Sequence, residues 1–230
     1  MKSSKFRAKP MDAIFEAVLS GEQAVARILD ATPQAHRAAI AVDVLVETIP
    51  HWLYGGDIPL HLAAAALKPT VVQLLLDAGS DPNTKNRRGA TPLHYACDAR
   101  PSSNGVWDPA AQVALIGILA AHGAALDVGD RGGATPLHRA VRARSPSAVR
   151  QLLALGARTD CRLRARGSTP LHLAAQATGA GGTGGTLEEQ LEIIELLRRA
   201  GADFAAVDDN QRTARDWATV PRVARALYLA

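Results

Sequence analysis

Residues 179–185 read GAGGTGG and set Gly179, Gly181 and Gly184 at the G-x-G-x-x-G spacing of a loop that cradles a pyrophosphate. Such a loop needs a strand leading into it and a helix N-terminus after it, where backbone N–H groups meet the phosphate. Here a helical pattern precedes the run, and Thr186-Leu187-Glu188-Glu189 follows as a capping box that puts two carboxylates at the helix start. Like charge repels phosphate, and the run holds no Lys or Arg, so it reads as a flexible connector. Seven histidines invite a metal. Four of them, His61, His94, His138 and His172, close one recurring hexapeptide, and stacked units would hold them about 10 Å apart, too far to share an ion. His51 and His122 lack partners at ligand spacing, so neither metal nor cofactor is expected. Cys97 and Cys161 form no C-x-x-C pair and read as free thiols of a reducing compartment. No G-x-S-x-G elbow occurs, and the carboxylate pairs Glu188-Glu189 and Asp208-Asp209 fit a helix start and a turn. Catalysis is not expected.

What must position every one of these groups is a repeat. GATPLH occurs at 89–94 and 133–138, with GDIPLH at 56–61, GSTPLH at 167–172 and a degenerate QRTARD at 211–216. Pro59, Pro92, Pro136 and Pro170 stand 33, 44 and 34 residues apart, so the period is 33 with 11 extra residues in alternate units. Each unit also carries an apolar segment ending in glycine, at Gly79, Gly123, Gly156 and Gly201. These follow their prolines by 20, 31, 20 and 31 residues, which puts both insertions between the hexapeptide and the second apolar segment. Thr91, Thr135 and Thr169 can cap a helix whose first turn holds proline, where a missing N–H costs nothing. Small residues follow (Ala63-Ala64, Ala140, Ala174-Ala175), then a second helix with paired Leu or Ile and a glycine stop. The insertions are RPSSNGVWDPAAQ, with Asp108-Pro109 as a new helix start, and the glycine run, so the second helix is lengthened in both. Trp107 either folds back on that helix or stands out as an anchor for a partner.

This pattern resembles the ankyrin repeat, whose signature is T-P-L-H-x-A at a period of 33. The likeness covers about residues 49–218 and implies an all-α solenoid of helix–loop–helix units joined by β-turn fingers, with the TPLH histidine bonded to backbone between units. The organisation expected is a basic tail at 1–11, then one solenoid over 12–218. The solenoid comprises an N-terminal cap at 12–33, an additional helical insertion at 34–50, repeats at 51–84, 85–128, 129–162 and 163–206, and a divergent last repeat from 207. A capping helix at 219–230 closes it. The insertion carries one ambiguity, because IAVDVLV also alternates like a strand.

The resemblance implies a protein-binding adaptor whose finger tips and helix-A face line a groove. Carried onto this sequence, that groove holds Arg87, Arg88 and Tyr95, then Arg131, Arg139 and Arg142, then Arg166 and Gln176. Arginine dominates the set, and no Lys occurs after Lys85, which favours planar, bidentate recognition of carboxylates. The expected partner is therefore a protein with an acidic surface, met by a monomer; reversing Arg88, Arg139 and Arg166 to Glu should abolish capture and spare stability. Nucleic acid is the first alternative, weakened by 4% aromatics and by 22 acidic residues among 26 basic ones, a net charge of only +4. A small-molecule or enzymatic site near Trp52, Tyr54 and the insertions is the second. No run of 18 apolar residues suggests a membrane span. Asp12 and Glu16 break the apolar stretch a secretory signal needs, so a cytoplasmic protein is expected, and the Arg and Ala usage fits a bacterial source.

Overall fold

The computed structural model describes residues 13–46, 51–98, 108–177 and 185–228. The basic tail, Trp107 and Gly179–Gly184 lie outside them. Twelve short α-helices dominate the described residues, and they come in consecutive pairs. The pairs are α1 (Ala13–Ser20) with α2 (Glu22–Ala31), α3 (Pro59–Ala65) with α4 (Pro69–Asp77), and α5 (Pro92–Asp98) with α6 (Pro109–Ala121). They continue with α7 (Pro136–Arg142) and α8 (Pro146–Ala154), α9 (Pro170–Ala175) and α10 (Leu187–Arg199), and α11 (Ala214–Trp217) and α12 (Pro221–Ala226). Contacts divide the chain into two compact units, Met1–Ala96 with Ser102–Ala124, and Cys97–Pro101 with Ala125–Ala230.

Within each unit, first helices pack on first helices and second on second. In the first unit α1 meets α3, α2 meets α4 and α4 meets α6; in the second, α7 meets α9, α9 meets α11, α8 meets α10 and α10 meets α12. The core is the seam of that stack. The hexapeptide leucines Leu60, Leu93, Leu137 and Leu171 are all buried, each worth about 1.5–3 kcal/mol. Ala63, Ala64, Ala140, Ala174 and Ala175 are buried too, and their small side chains let neighbouring helices approach.

The helix starts show why His closes the hexapeptide. The backbone N–H groups of Ile58, Thr91, Thr135 and Thr169 donate to Nδ1 of His61, His94, His138 and His172 at 3.1–3.2 Å, a capping box with histidine in the acidic residue's place. Nδ1 is thereby an acceptor, so Nε2 carries the proton. It donates onward to the next finger: His61 to the Ala90 carbonyl at 3.2 Å, His138 to Ser168 at 3.4 Å and His172 to Arg212 at 3.0 Å. Burial pushes the His61, His138 and His172 imidazoles down, His138 to about 4, so all three are neutral near pH 7.

The alternating repeat length has a hydrogen-bond solution. In the short repeats the carbonyls of Ala63 and Ala140, at the end of the first helix, accept from the backbone N–H of Lys68 and Ser145 at 3.1 Å. The long repeats differ. There the second helix begins a turn earlier and runs 13 residues instead of 9. A buried glutamine on it donates to the matching carbonyl: Gln112 Nε2 reaches the Ala96 carbonyl at 2.8 Å, and Gln190 Nε2 reaches Ala174 at 2.7 Å. The long helices start as their sequences imply. Asp108 accepts from the N–H groups of Ala110 and Ala111, and Thr186 and Glu189 form a reciprocal box.

Fingers join the pairs and touch one another through one backbone bond each. Arg87 N–H donates to Gly55 in the first unit; Arg164 N–H donates to Gly132 and Asp209 N–H to Arg166 in the second. Gly133 shows the tightness of the fit. Its φ is 81°, and a Cβ there would stand 2.9 Å from the Arg162 carbonyl oxygen of the next finger. Gln211 occupies the matching site of the last hexapeptide copy, also left-handed at φ 60°.

One expected element is different. The helix expected within 34–50 is replaced by a 3₁₀ turn at Pro33–Arg37 and a hairpin, β1 (Val44–Val46) antiparallel to β2 (His51–Leu53). Three β-branched valines, together with the alternation of IAVDVLV, outweigh helix propensity there. Val46 and Leu53 face inward, while Leu45 and Trp52 face out.

Candidate protein-binding surface

The finger tips are shaped by an Asx turn. Asn86 Oδ1 accepts from the N–H groups of Arg88 and Ala90, Asp130 Oδ1 from Gly132 and Ala134, and Asp208 Oδ1 from Asn210 and Arg212. In the fourth finger Arg164 stands at this position, and Leu163 N–H to Ser168 closes the turn instead. Each turn throws the next residues outward: Arg87 and Arg88 in the first unit, Arg131 and Arg166 in the second, all exposed.

The exposed arginines differ in what they meet. Arg87 is ion-paired with Asp43, and the Arg88 guanidinium lies 4.1 Å over the Tyr54 ring. Arg142 pairs with Asp98 at 3.0 Å. Arg131 and Arg166, with the neighbouring Arg164, are exposed and meet no carboxylate among the described residues. Gln176 is half-buried, and its carbonyl accepts from Arg144 and Gln190.

Two of the expected groove residues are interior. Tyr95 is buried: its hydroxyl donates to Asp57 Oδ2 at 2.6 Å and accepts from Asn86 Nδ2 at 2.9 Å, and His51 stacks on its ring. Its equivalents in two other repeats are Leu62 and Leu173, which marks the position as apolar. Arg139, whose side chain is only 14% exposed, bridges Asp98 and Asp130. Burial opposes its charge, but the two carboxylates outweigh that and hold the guanidinium above its ordinary range. Asp130 is half-buried, which opposes its charge, yet the hydrogen bond from Arg139 draws its carboxyl below the usual range. Arg139 is a cross-link, and reversing it would gather three carboxylates in one place; the expectation that its reversal spares stability is corrected accordingly.

Several residues of consequence were absent from the sequence-based set. Asp57 is buried and its carboxylate accepts from Tyr54 N–H, Asn86 and Tyr95. It stands where other copies carry Ala90, Ala134 and Ser168, and that mismatch is its only signal. Arg144, buried and left-handed at φ 55°, donates to the carbonyls of Val141, Leu173 and Gln176 and so caps the end of α9. Nothing in its flanking sequence marks it.

Glu189 Oε2 accepts from Thr186 N–H at 2.7 Å, so the helix start beside the glycine run is already occupied by a carboxylate. Among the described residues no cluster of three or more metal-ligating side chains occurs, and no helix is long and apolar enough to cross a membrane. Both cysteines are free; burial raises the Cys97 thiol far above its usual range and also raises Cys161.

A family profile described as ankyrin repeats (3 copies) matches residues 15–107, 60–162 and 109–208. Human B-cell lymphoma 3 protein is similar at 32% identity over 153 residues, 65% of this chain and 22% of that protein. Human neurogenic locus notch homolog protein 4 matches at 50% over 52 residues, and pig NF-kappa-B inhibitor alpha at 50% over 40 residues. These stretches are 22% and 17% of this chain, and 3% and 13% of the respective relatives, so the chain spans only a small part of the curated relatives it matches. The repeat period, the histidine capping boxes, the finger-to-finger bonds and the profile covering most of the sequence converge: the chain belongs to the ankyrin repeat family.

Proposed function

We propose that this chain is a non-catalytic protein-interaction module that holds a partner with an acidic surface on finger tips of its second unit. The observation that carries this reading is the state of Arg131, Arg164 and Arg166: exposed, on adjoining fingers, and facing no carboxylate among the described residues. The turns that carry these arginines are locked by backbone hydrogen bonds, so little backbone freedom is lost when a carboxylate arrives; each charge-assisted contact has only the side-chain rotamer cost to offset. Family membership supports the wider statement, since ankyrin repeats serve generally as binding scaffolds. One relative is by its name an inhibitor of another protein, NF-kappa-B. Arg88 and Arg142 belong to the same basic set and lie against Tyr54 and Asp98.

The test is affinity capture from the native host with the unaltered chain and with Arg131→Glu/Arg166→Glu. The double variant should lose the partner while its thermal midpoint stays within about 2 °C, because neither side chain is buried or bridged. Capture that survives the double reversal removes the finger tips from the binding face.

A further inference from the structure

The first unit carries a surface of another character. Val42, Leu45 and Trp52 are 69%, 46% and 49% exposed, and Leu45 and Trp52 face each other directly across β1 and β2. Large apolar side chains set side by side in water have no role in the core beneath them, which Val46 and Leu53 already fill. The hairpin that presents them is held firmly. Asp57, buried, accepts from Tyr54 N–H at 2.6 Å and is itself tied to Asn86 and Tyr95. Gly55 N–H donates to Asp43 at 3.1 Å, Gly56 N–H to Ile40, Ile40 N–H to Asp57, and Arg87 N–H to Gly55.

The period of two along a strand then decides what borders the apolar pair. One alternation from Leu45 is Asp43, which holds Arg87; one alternation from Trp52 is Tyr54, which carries Arg88 on its ring. Lys85 on the same finger is also exposed. The result is an apolar centre with a basic rim, composed of Trp, Tyr and Arg, the residue types that dominate binding hot spots. The rim sets the sign of the partner: among the described residues that border the pair, Lys85, Arg87 and Arg88 stand beside the Asp43 carboxylate.

We propose that this hairpin face docks an acidic segment of a partner protein, one apolar side chain seated on Leu45 and Trp52 and its neighbouring carboxylates on Arg87 and Arg88. The assignment rests on the protein-binding reading but uses a different unit and a different set of residues.

The probe is a fluorescein-labelled peptide with a central Leu-Phe pair flanked by glutamates, compared with the same peptide flanked by lysines, in anisotropy titrations of the full chain. The glutamate peptide should bind, Trp52→Ala and Arg87→Glu/Arg88→Glu should each weaken it about tenfold or more, and the reversed chain should prefer the lysine peptide. Trp52 is 49% exposed, so thermal melts accompany the titrations, and lost binding by a Trp52→Ala chain that still melts cooperatively above the assay temperature is a surface effect. Equal binding of both peptides, no binding of either, or indifference to Trp52→Ala overturns the assignment. So does a concentration-dependent dimer abolished by Trp52→Ala, which would make a second copy the occupant. Peptide failure with capture by Arg131 and Arg166 intact overturns the hairpin assignment alone, whereas capture failure with peptide binding intact overturns only the finger-tip reading.

Discussion

Replacing Arg139 by Met tests whether this arginine is a cross-link or a contact residue. The substitution keeps most of the apolar stem and removes the guanidinium between Asp98 and Asp130, whose side chains are 17% and 14% exposed. Breaking a buried pair from one side costs about 3–5 kcal/mol when the orphaned charge has no other partner. Here the loss is smaller. Asp98 retains Arg142 at 3.0 Å, and Asp130 retains the N–H groups of Gly132 and Ala134. The expected cost is therefore about 2–3 kcal/mol, a fall in thermal midpoint of about 5–10 °C. A second substitution isolates the charge term. Asp130→Asn keeps the turn, because Asn86 performs the same turn in the preceding finger through its own Oδ1. In the Arg139→Met background Asp130→Asn should be nearly neutral, while alone it should cost about 1–2 kcal/mol, a coupling measurable by urea unfolding. An Arg139→Met chain within about 0.5 kcal/mol of the original would refute the cross-link and return Arg139 to the binding face.

Other expectations follow from the same geometry. Burial holds His138 down at about 4, so below about pH 6.5 the unfolded chain takes up its proton first and stability falls as pH drops toward 4. At 1.36 kcal/mol per pH unit the full loss from this residue is about 3 kcal/mol; urea midpoints from pH 7 to 4 should show it, and His138→Gln should flatten the slope. Gln190→Leu strips the Ala174 carbonyl of its donor but leaves Gln176 its bond from Arg144, so it should cost about 1–2 kcal/mol in urea unfolding; no loss would dismiss the glutamine's bridging role. Gly133→Ala should destabilise by more than about 1 kcal/mol, whereas Gln211→Gly, at the matching left-handed site, should be stabilising by up to about 1 kcal/mol; calorimetry that gives both the same sign would contradict the finger contact.

The repeated frame was legible in the sequence because its signals are local and recur. Pro59, Pro92, Pro136 and Pro170 mark each first helix, and Gly79, Gly123, Gly156 and Gly201 each adopt the left-handed turn that stops the second. Asp108 and Thr186 announce the two lengthened helices, since a cap acts over three residues. The surface was less legible, because an arginine's state depends on carboxylates far away in the chain. Arg139 meets Asp98 across 41 residues, and Tyr95 meets Asp57 across 38. A list of exposed-looking positions therefore mixes bridged cations such as Arg139 with open ones such as Arg166. The hairpin was half visible: IAVDVLV has a strand's alternation, but only the tie from Asp57 to Tyr54 shows where it docks.

Gln112 and Gln190 carry a last implication. Each joins the two helices of its repeat by a side-chain bridge, so the pairing there does not depend on the peptide that connects them. Those two joints are accordingly where the chain could be cut or extended: a chain opened between Ala177 and Gly185 should keep α9 against α10. The same opening at the tight turn before Ser145 would sever the backbone bond to Ala140 that does the equivalent work. Alternate repeats thus supply natural ports for grafted sequence, at positions fixed by a single amide.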